Sequence, residues 1–141
     1  MTKKILSLLA GLLMAAGLVV SVQSPAGADA NGCDGWASGT FGGYPIPGGD
    51  ICHQIRGDGK TITVEYADAA SVRLCNWRID FRYYNTAGTV YEVSTGPTNT
   101  TCTSDGERYY YPGTLAYYGK ACAYLYSNGA YLTKQCHNIT S

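Results

Sequence analysis

Cys75-Asn76-Trp77-Arg78-Ile79-Asp80-Phe81-Arg82-Tyr83 alternates strictly between apolar and polar side chains. In an extended chain, successive side chains point to opposite sides, so Cys75, Trp77, Ile79, Phe81 and Tyr83 share one face and Asn76, Arg78, Asp80 and Arg82 the other. This is the pattern of a half-buried strand in an antiparallel sheet. Asn85-Thr86-Ala87-Gly88 supplies a turn, and Thr89 to Ser94 returns as a partner strand. Gly96 to Gly106 then reads as a polar loop around Cys102. Upstream, Ile51 to Arg56 and Thr61 to Tyr66 flank Gly57-Asp58-Gly59, and downstream Lys120 to Tyr126 and Ala130 to His137 flank Ser127-Asn128-Gly129; both predict hairpins. Asp68 to Leu74 has room for one helical turn. Between Gly32 and Asp50 seven glycines surround Tyr44-Pro45-Ile46-Pro47, which excludes helix and predicts an extended segment broken by turns. The expected fold is all-β, a small antiparallel sandwich or barrel-like domain built of hairpins.

The first thirty residues have a different character. Lys3 and Lys4 precede an uncharged run from Ile5 to Val22, and a more polar tail ends in Ala28-Asp29-Ala30. That order of basic start, apolar run and small-residue site predicts a secretory signal peptide over residues 1–30 and one domain over 31–141. The run just reaches the length of a membrane span, but Gly11 and Gly17 thin it, and the Ala-x-Ala site suits cleavage. Lys3, Lys4 and Asp29 leave with the leader, so ten basic and ten acidic residues become eight and nine, a net charge of −1. A nearly neutral domain has no counterion-release drive toward nucleic acid and no polybasic attraction to membranes. Neither is expected as a partner.

Cys33, Cys52, Cys75, Cys102, Cys122 and Cys136 all lie beyond the leader. An even number of cysteines in an exported chain predicts three disulfides. Sequence alone leaves fifteen pairings open. The sequential set is the expected one, because each loop then brackets a hairpin or turn; each bond would contribute roughly 3 kcal/mol in the chain-entropy model. One pair sets a condition. A strict two-residue turn at Asn128-Gly129 sets Cys122 opposite Gln135, so a bond from Cys122 to Cys136 needs a bulge or a three-residue turn.

Catalytic chemistry finds little support. Nucleophilic hydrolysis needs an activated Ser or Cys beside a histidine, and here the cysteines are disulfide halves and the histidines are only His53 and His137. Each follows a cysteine, so each points away from it, and the two imidazoles meet only if their strands are neighbours. Surface histidines are the expectation, and no catalytic residue, metal ligand or cofactor is assigned. Zinc through the cysteines lacks the C-x-x-C spacing. The acids, Glu65 among them, are expected in turns or on solvated strand faces rather than paired for glycoside hydrolysis. Arg56-Gly57-Asp58 spells an adhesion tripeptide, but a turn accounts for it. Asn99-Thr100-Thr101 and Asn138-Ile139-Thr140 are glycosylation sequons that matter only in a eukaryotic secretory route.

Tyrosine carries the functional expectation. In Tyr109-Tyr110-Tyr111 and Tyr117-Tyr118, neighbouring rings must take opposite faces, so some leave the core side. Tyrosines fill sheet faces, but they are also enriched where proteins meet partners, because they add contact area with few rotatable bonds, and they stack on sugar rings. The candidate binding residues are Tyr44, Ile46, Tyr109, Tyr111 and Tyr117, with Gly96-Pro97-Thr98 as a rigid loop. With its leader, cysteines and Cys75 to Tyr84 strand, the chain resembles small secreted bacterial proteins of undefined function. More narrowly it is similar to the adaptor subunit of umbrella-shaped secreted toxin particles. That resemblance rests on size, export and cysteine richness, and it carries over no functional residue. It implies a non-catalytic β domain that binds protein; Cys33, close behind the cleavage site, leaves little of the free N-terminal arm such an adaptor would use. The expected function is therefore a secreted, extracellular domain that binds another secreted or cell-surface protein as adaptor or inhibitor. The alternatives are a carbohydrate-binding module with a glycan as partner, or a small hydrolase.

Overall fold

The computed structural model describes residues 29–141; the signal segment expected over 1–30 lies, but for its last two residues, outside them. The strands, in chain order, are β1 (Ala30–Trp36), β2 (Gly39–Phe41), β3 (Tyr44–Ile46), β4 (Gly49–Asp58), β5 (Thr61–Leu74), β6 (Trp77–Asn85), β7 (Val90–Ser94), β8 (Thr103–Tyr110), β9 (Gly113–Thr114), β10 (Gly119–Ser127) and β11 (Ala130–Ile139). All pairings are antiparallel. One sheet runs β1-β4-β5-β8, with β9 also on β5; a second runs β11-β10-β6-β7; β2 and β3 form a separate ribbon. The sheets pack face to face, β1 and β4 over β11 and β8 over β6. The result is an open sandwich, not a closed barrel.

β6 forms as its alternation dictates. Trp77, Ile79, Phe81 and Tyr83 are buried between the sheets, while Arg78, Arg82 and Tyr84 lie on the outside. Cys75 departs from the expectation. Asn76 takes a left-handed φ of 45°, which breaks the alternation, so the strand starts only at Trp77 and Cys75 is free to reach Cys102. The supposed loop before Gly106 is also shorter, because Thr103–Tyr110 is strand β8. Its composition hid it: Ser104, Asp105 and Glu107 face water, and Gly106 sits beneath the Trp77 ring, where a Cβ would come within 2.6 Å of the indole. Asp68 to Leu74 is not helical either. It extends β5, whose Ala67 and Ala69 face the core.

The β4–β5 hairpin turns at Gly59-Lys60, two residues later than expected, and a bulge at Thr63, opposite the Arg56–Gly57 step, absorbs the difference. Arg56, Gly57 and Asp58 thus end a strand rather than cap a tip. The β10–β11 hairpin closes as a two-residue turn in which Asn128 and Gly129 have φ of 51° and 77°, pairing Tyr126 with Tyr131. A bulge at Leu132 then shifts the register and sets Cys122 directly opposite Cys136. The disulfides are the sequential set: Cys33–Cys52, Cys75–Cys102 and Cys122–Cys136. The first and third join neighbouring strands within a sheet, and Cys75–Cys102 lies just past the Leu74–Thr103 pair, at the end of the β5–β8 ladder where the chain leaves for β6.

Candidate functional site

Two constellations stand out, one sealed and one open. The sealed one lies between the sheets. On β4, Ile51, His53 and Ile55 alternate inward; on β5, Glu65 falls in phase with Ala67 and Ala69. His53 Nε2 lies 2.7 Å from Glu65 Oε1, and both side chains are fully buried. The other Glu65 oxygen accepts the Tyr83 hydroxyl from β6. His137, on β11, stacks on His53 with ring centroids 5.0 Å apart and donates from Nε2 to the His53 carbonyl oxygen at 2.8 Å. Phe81 stacks on the far side of His53 at 5.7 Å. Gly32 makes the histidine stack possible, since a Cβ there would lie 3.2 Å from the His137 ring.

This arrangement corrects two expectations: His53 is no surface histidine, and Glu65 is no solvated acid. The carboxylate is the acceptor for two donors from different sheets. His53 Nδ1 has no partner, and a proton on Nε2 is what gives the Glu65 carboxylate a donor there. Burial, with the Glu65 carboxylate adding to it, pushes the Tyr83 phenol far above its ordinary range, and it therefore stays a donor. An acid, a base and a phenol in contact resemble catalytic parts, but their side chains are closed off from any substrate.

His137 makes the core acid-sensitive. Burial holds its pKa below the usual 6.5; the hydrogen bond to the His53 carbonyl opposes this, and the smaller effects of the His53 ring and of Glu65 act in opposite directions. The unfolded chain therefore takes up the proton first as pH falls. Stability from this group is complete above about pH 6.5 and is lost as pH drops below it, toward the lowered folded value. Thermal unfolding followed from about pH 7.5 to pH 5 should show a falling Tm; a His137→Gln variant should show a shallower fall, and an equal slope would remove His137 as the cause.

The expected binding residues do not form one surface. Tyr109 lies outward on β8 and packs on Tyr66 at 4.5 Å; Tyr111 is 70% exposed just beyond. Tyr117 meets Tyr91 beside β7, and Tyr44 is on the β2–β3 ribbon, near the Asn128 turn. Ile46 is corrected outright: it is only 4% exposed and belongs to the core, because β3 turns it under the ribbon. Gly96 is likewise buried, its amide donating to Asp80 Oδ1.

The open constellation was not anticipated, although Arg78, Asp80 and Arg82 on β6 and Tyr124 and Tyr126 on β10 are outward by strand alternation; the bulge at Leu132 brings Tyr131 and Lys134 to the same face. Pairing of β10 with both β6 and β11 sets Tyr131, Tyr126 and Arg78 in one row across the outer face of the second sheet, and Lys134, Tyr124 and Asp80 in the next. The Arg82 guanidinium stacks over Tyr124 at 4.5 Å and donates to the Tyr126 hydroxyl at 2.7 Å. Arg78 covers the Tyr126 ring at 4.7 Å and pairs with Asp80 at 2.9 Å. The Tyr84 and Tyr124 hydroxyls touch, and Lys134 Nζ reaches Tyr124 at 3.3 Å. Planar cations over ring faces hold the layer flat. At one end the face dips into a groove of about 840 Å³ bordered by Tyr84, Asn85, Lys120, Lys134 and Asn138, with no carboxylate side chain in its wall. Comparison with protein-family models, with curated proteins and with solved structures finds no match to this chain.

Proposed function

We propose that this chain is a secreted, non-catalytic domain that binds an acidic protein surface through the outer face of its second sheet. The observation that carries the reading is the tyrosine–cation layer. Tyr and Arg dominate the energetics of protein interfaces, and here their side chains are already held by stacking and hydrogen bonds, so little rotamer freedom remains to be lost on docking. Arg82, Lys120 and Lys134 have no carboxylate within 4.0 Å among the described residues, which leaves their charge for a partner. Three disulfides suit an oxidising, extracellular setting. An adaptor or inhibitor role is the form that fits a small rigid scaffold, and an adaptor within a secreted toxin assembly is what the sequence resemblance implies.

The groove favours a second reading, a carbohydrate-binding module, because amides and lysines beside a tyrosine suit an anionic sugar. One experiment separates the two. Lysine-reactive cross-linking in culture medium should join Lys120 or Lys134 to an acidic protein. Arg82→Ala with Tyr126→Ala should cut that capture at least tenfold, and Tyr109→Ala with Tyr111→Ala should not. Unchanged capture by a folded Arg82/Tyr126 variant sinks the docking face; saturable binding on a glycan array with no protein captured moves the function to sugar.

A further inference from the structure

The two outer faces of the sandwich carry opposite charge. On the first sheet, cross-strand register sets Cys52, Asp68 and Glu107 in one row and Asp50, Ala70 and Asp105 in the next. These four carboxylates share the face with Arg56, and Arg73 is exposed further along β5, so acids outnumber cations on this sheet. On the second sheet, Arg78, Arg82, Lys120 and Lys134 share the face with Asp80, a net of +3. None of the four acids has a cation within 4.0 Å among the described residues. Asp68 shows the strain of that crowding: burial, then Asp50 and Glu107, raise its pKa. Each face also carries paired tyrosines, Tyr66 with Tyr109 on the acidic side and Tyr126 with Tyr131 on the basic side.

We infer that the acidic protein surface bound by the basic face is the acidic face of a second copy of this chain, giving head-to-tail stacks. The inference rests on the docking reading above and names its partner. A two-fold dimer would set like charges against each other on either face. Only the heterologous contact brings the basic face to the acidic one, and because the faces lie on opposite sides of one sandwich it repeats by translation without closing. The domain's near-neutral total charge offers no long-range repulsion against stacking. Four strands about 4.8 Å apart and about eight residues long present roughly 500 Å² per face, or roughly 1,000 Å² buried in a contact. That is the lower limit for specific interfaces, so stacking is concentration-dependent and screened by salt.

Sedimentation velocity tests it on the purified, oxidised protein. At about 20 mM salt the average sedimentation coefficient should rise from roughly 10 μM to 1 mM protein, and at about 0.5 M salt it should return to that of the monomer. Neutralising the acidic face (Asp68→Asn with Glu107→Gln) or the basic face (Arg82→Gln with Lys134→Gln) should raise the concentration needed at least tenfold. The informative sample is the equimolar mixture of the two variants. Each keeps one native face, so the mixture should form a one-to-one dimer and stop there. A wild type that stays monomeric at 1 mM overturns self-stacking; if the basic-face variant still loses capture of another acidic protein, the docking face stands and only its partner changes. A basic-face variant that stacks as well as wild type overturns both.

Discussion

Replacing Glu65 with alanine is expected to cost about 3–5 kcal/mol of folding stability, because it leaves buried donors from two sheets without their acceptor. Glu65 receives His53 Nε2 and the Tyr83 hydroxyl, and neither side chain has access to water. Desolvated donors without partners cost their full hydration, and His53 Nδ1 is already unpaired, so His53 has no second arrangement to fall back on. A domain of this size is stable by only about 5–15 kcal/mol, so the alanine loss is a large part of the whole, and Glu65→Gln is the milder second variant. Glutamine keeps an oxygen for Tyr83 but turns its amide toward His53, which must then accept at Nε2 and move its proton to the unpartnered Nδ1. Its cost should be smaller, about 1–3 kcal/mol. Urea unfolding with an unchanged m-value reads both. A loss below about 1 kcal/mol for either variant with the fold intact would mean that the network contributes nothing net to holding the sheets together.

Legibility in the sequence followed the range of the interactions. The β6 strand and the β10–β11 turn were readable because strand alternation and the left-handed Asn128-Gly129 pair are local features. The Cys122–Cys136 pair called for a bulge or a three-residue turn, and the chain takes the bulge, at Leu132. The β8 strand was missed where a glycine's place is filled by Trp77 from the other sheet, a contact that no local pattern records. Glu65 carried a partial signal, being in phase with Ala67 and Ala69, but the bulge that also turns Ile62 inward blurs the alternation ahead of it. The tyrosine–cation face was hidden for a topological reason. Arg82 and Tyr126 are 44 residues apart and meet only because β10 pairs with β6. Its members were visible as outward residues, while the runs Tyr109-Tyr110-Tyr111 and Tyr117-Tyr118 drew attention by density alone.

Removing the Cys75–Cys102 bond, by Cys75→Ser with Cys102→Ser, should lower stability by about 3.5 kcal/mol and Tm by on the order of 15 °C. The loop-entropy estimate by itself separates the bonds little: a sequence separation of 27 against 14 for Cys122–Cys136 changes it by only about 0.6 kcal/mol. Position in the fold separates them further. Cys122 and Cys136 lie in the middle of a hairpin whose strands stay paired on either side without the sulfur bridge. Cys75 and Cys102 instead sit at the open end of the β5–β8 ladder, just past the Leu74–Thr103 pair and the irregularity between Ala70 and Leu74, where the chain crosses to and from the second sheet. Beside the bond the Leu74–Thr103 pair, the bridge between Trp77 and Asn99 and the indole donation to Thr103 Oγ1 at 3.0 Å also hold this corner. Loss of the bond should therefore expose the Trp77 edge of the core, raising hydrogen exchange at the Trp77 and Asn99 amides and shifting tryptophan fluorescence to the red before global unfolding. The Cys122→Ser with Cys136→Ser variant should show neither local change. A larger stability loss for the hairpin bond than for Cys75–Cys102 would mean that the Trp77 corner is held by its own packing and backbone pairing, and that the bond there is redundant.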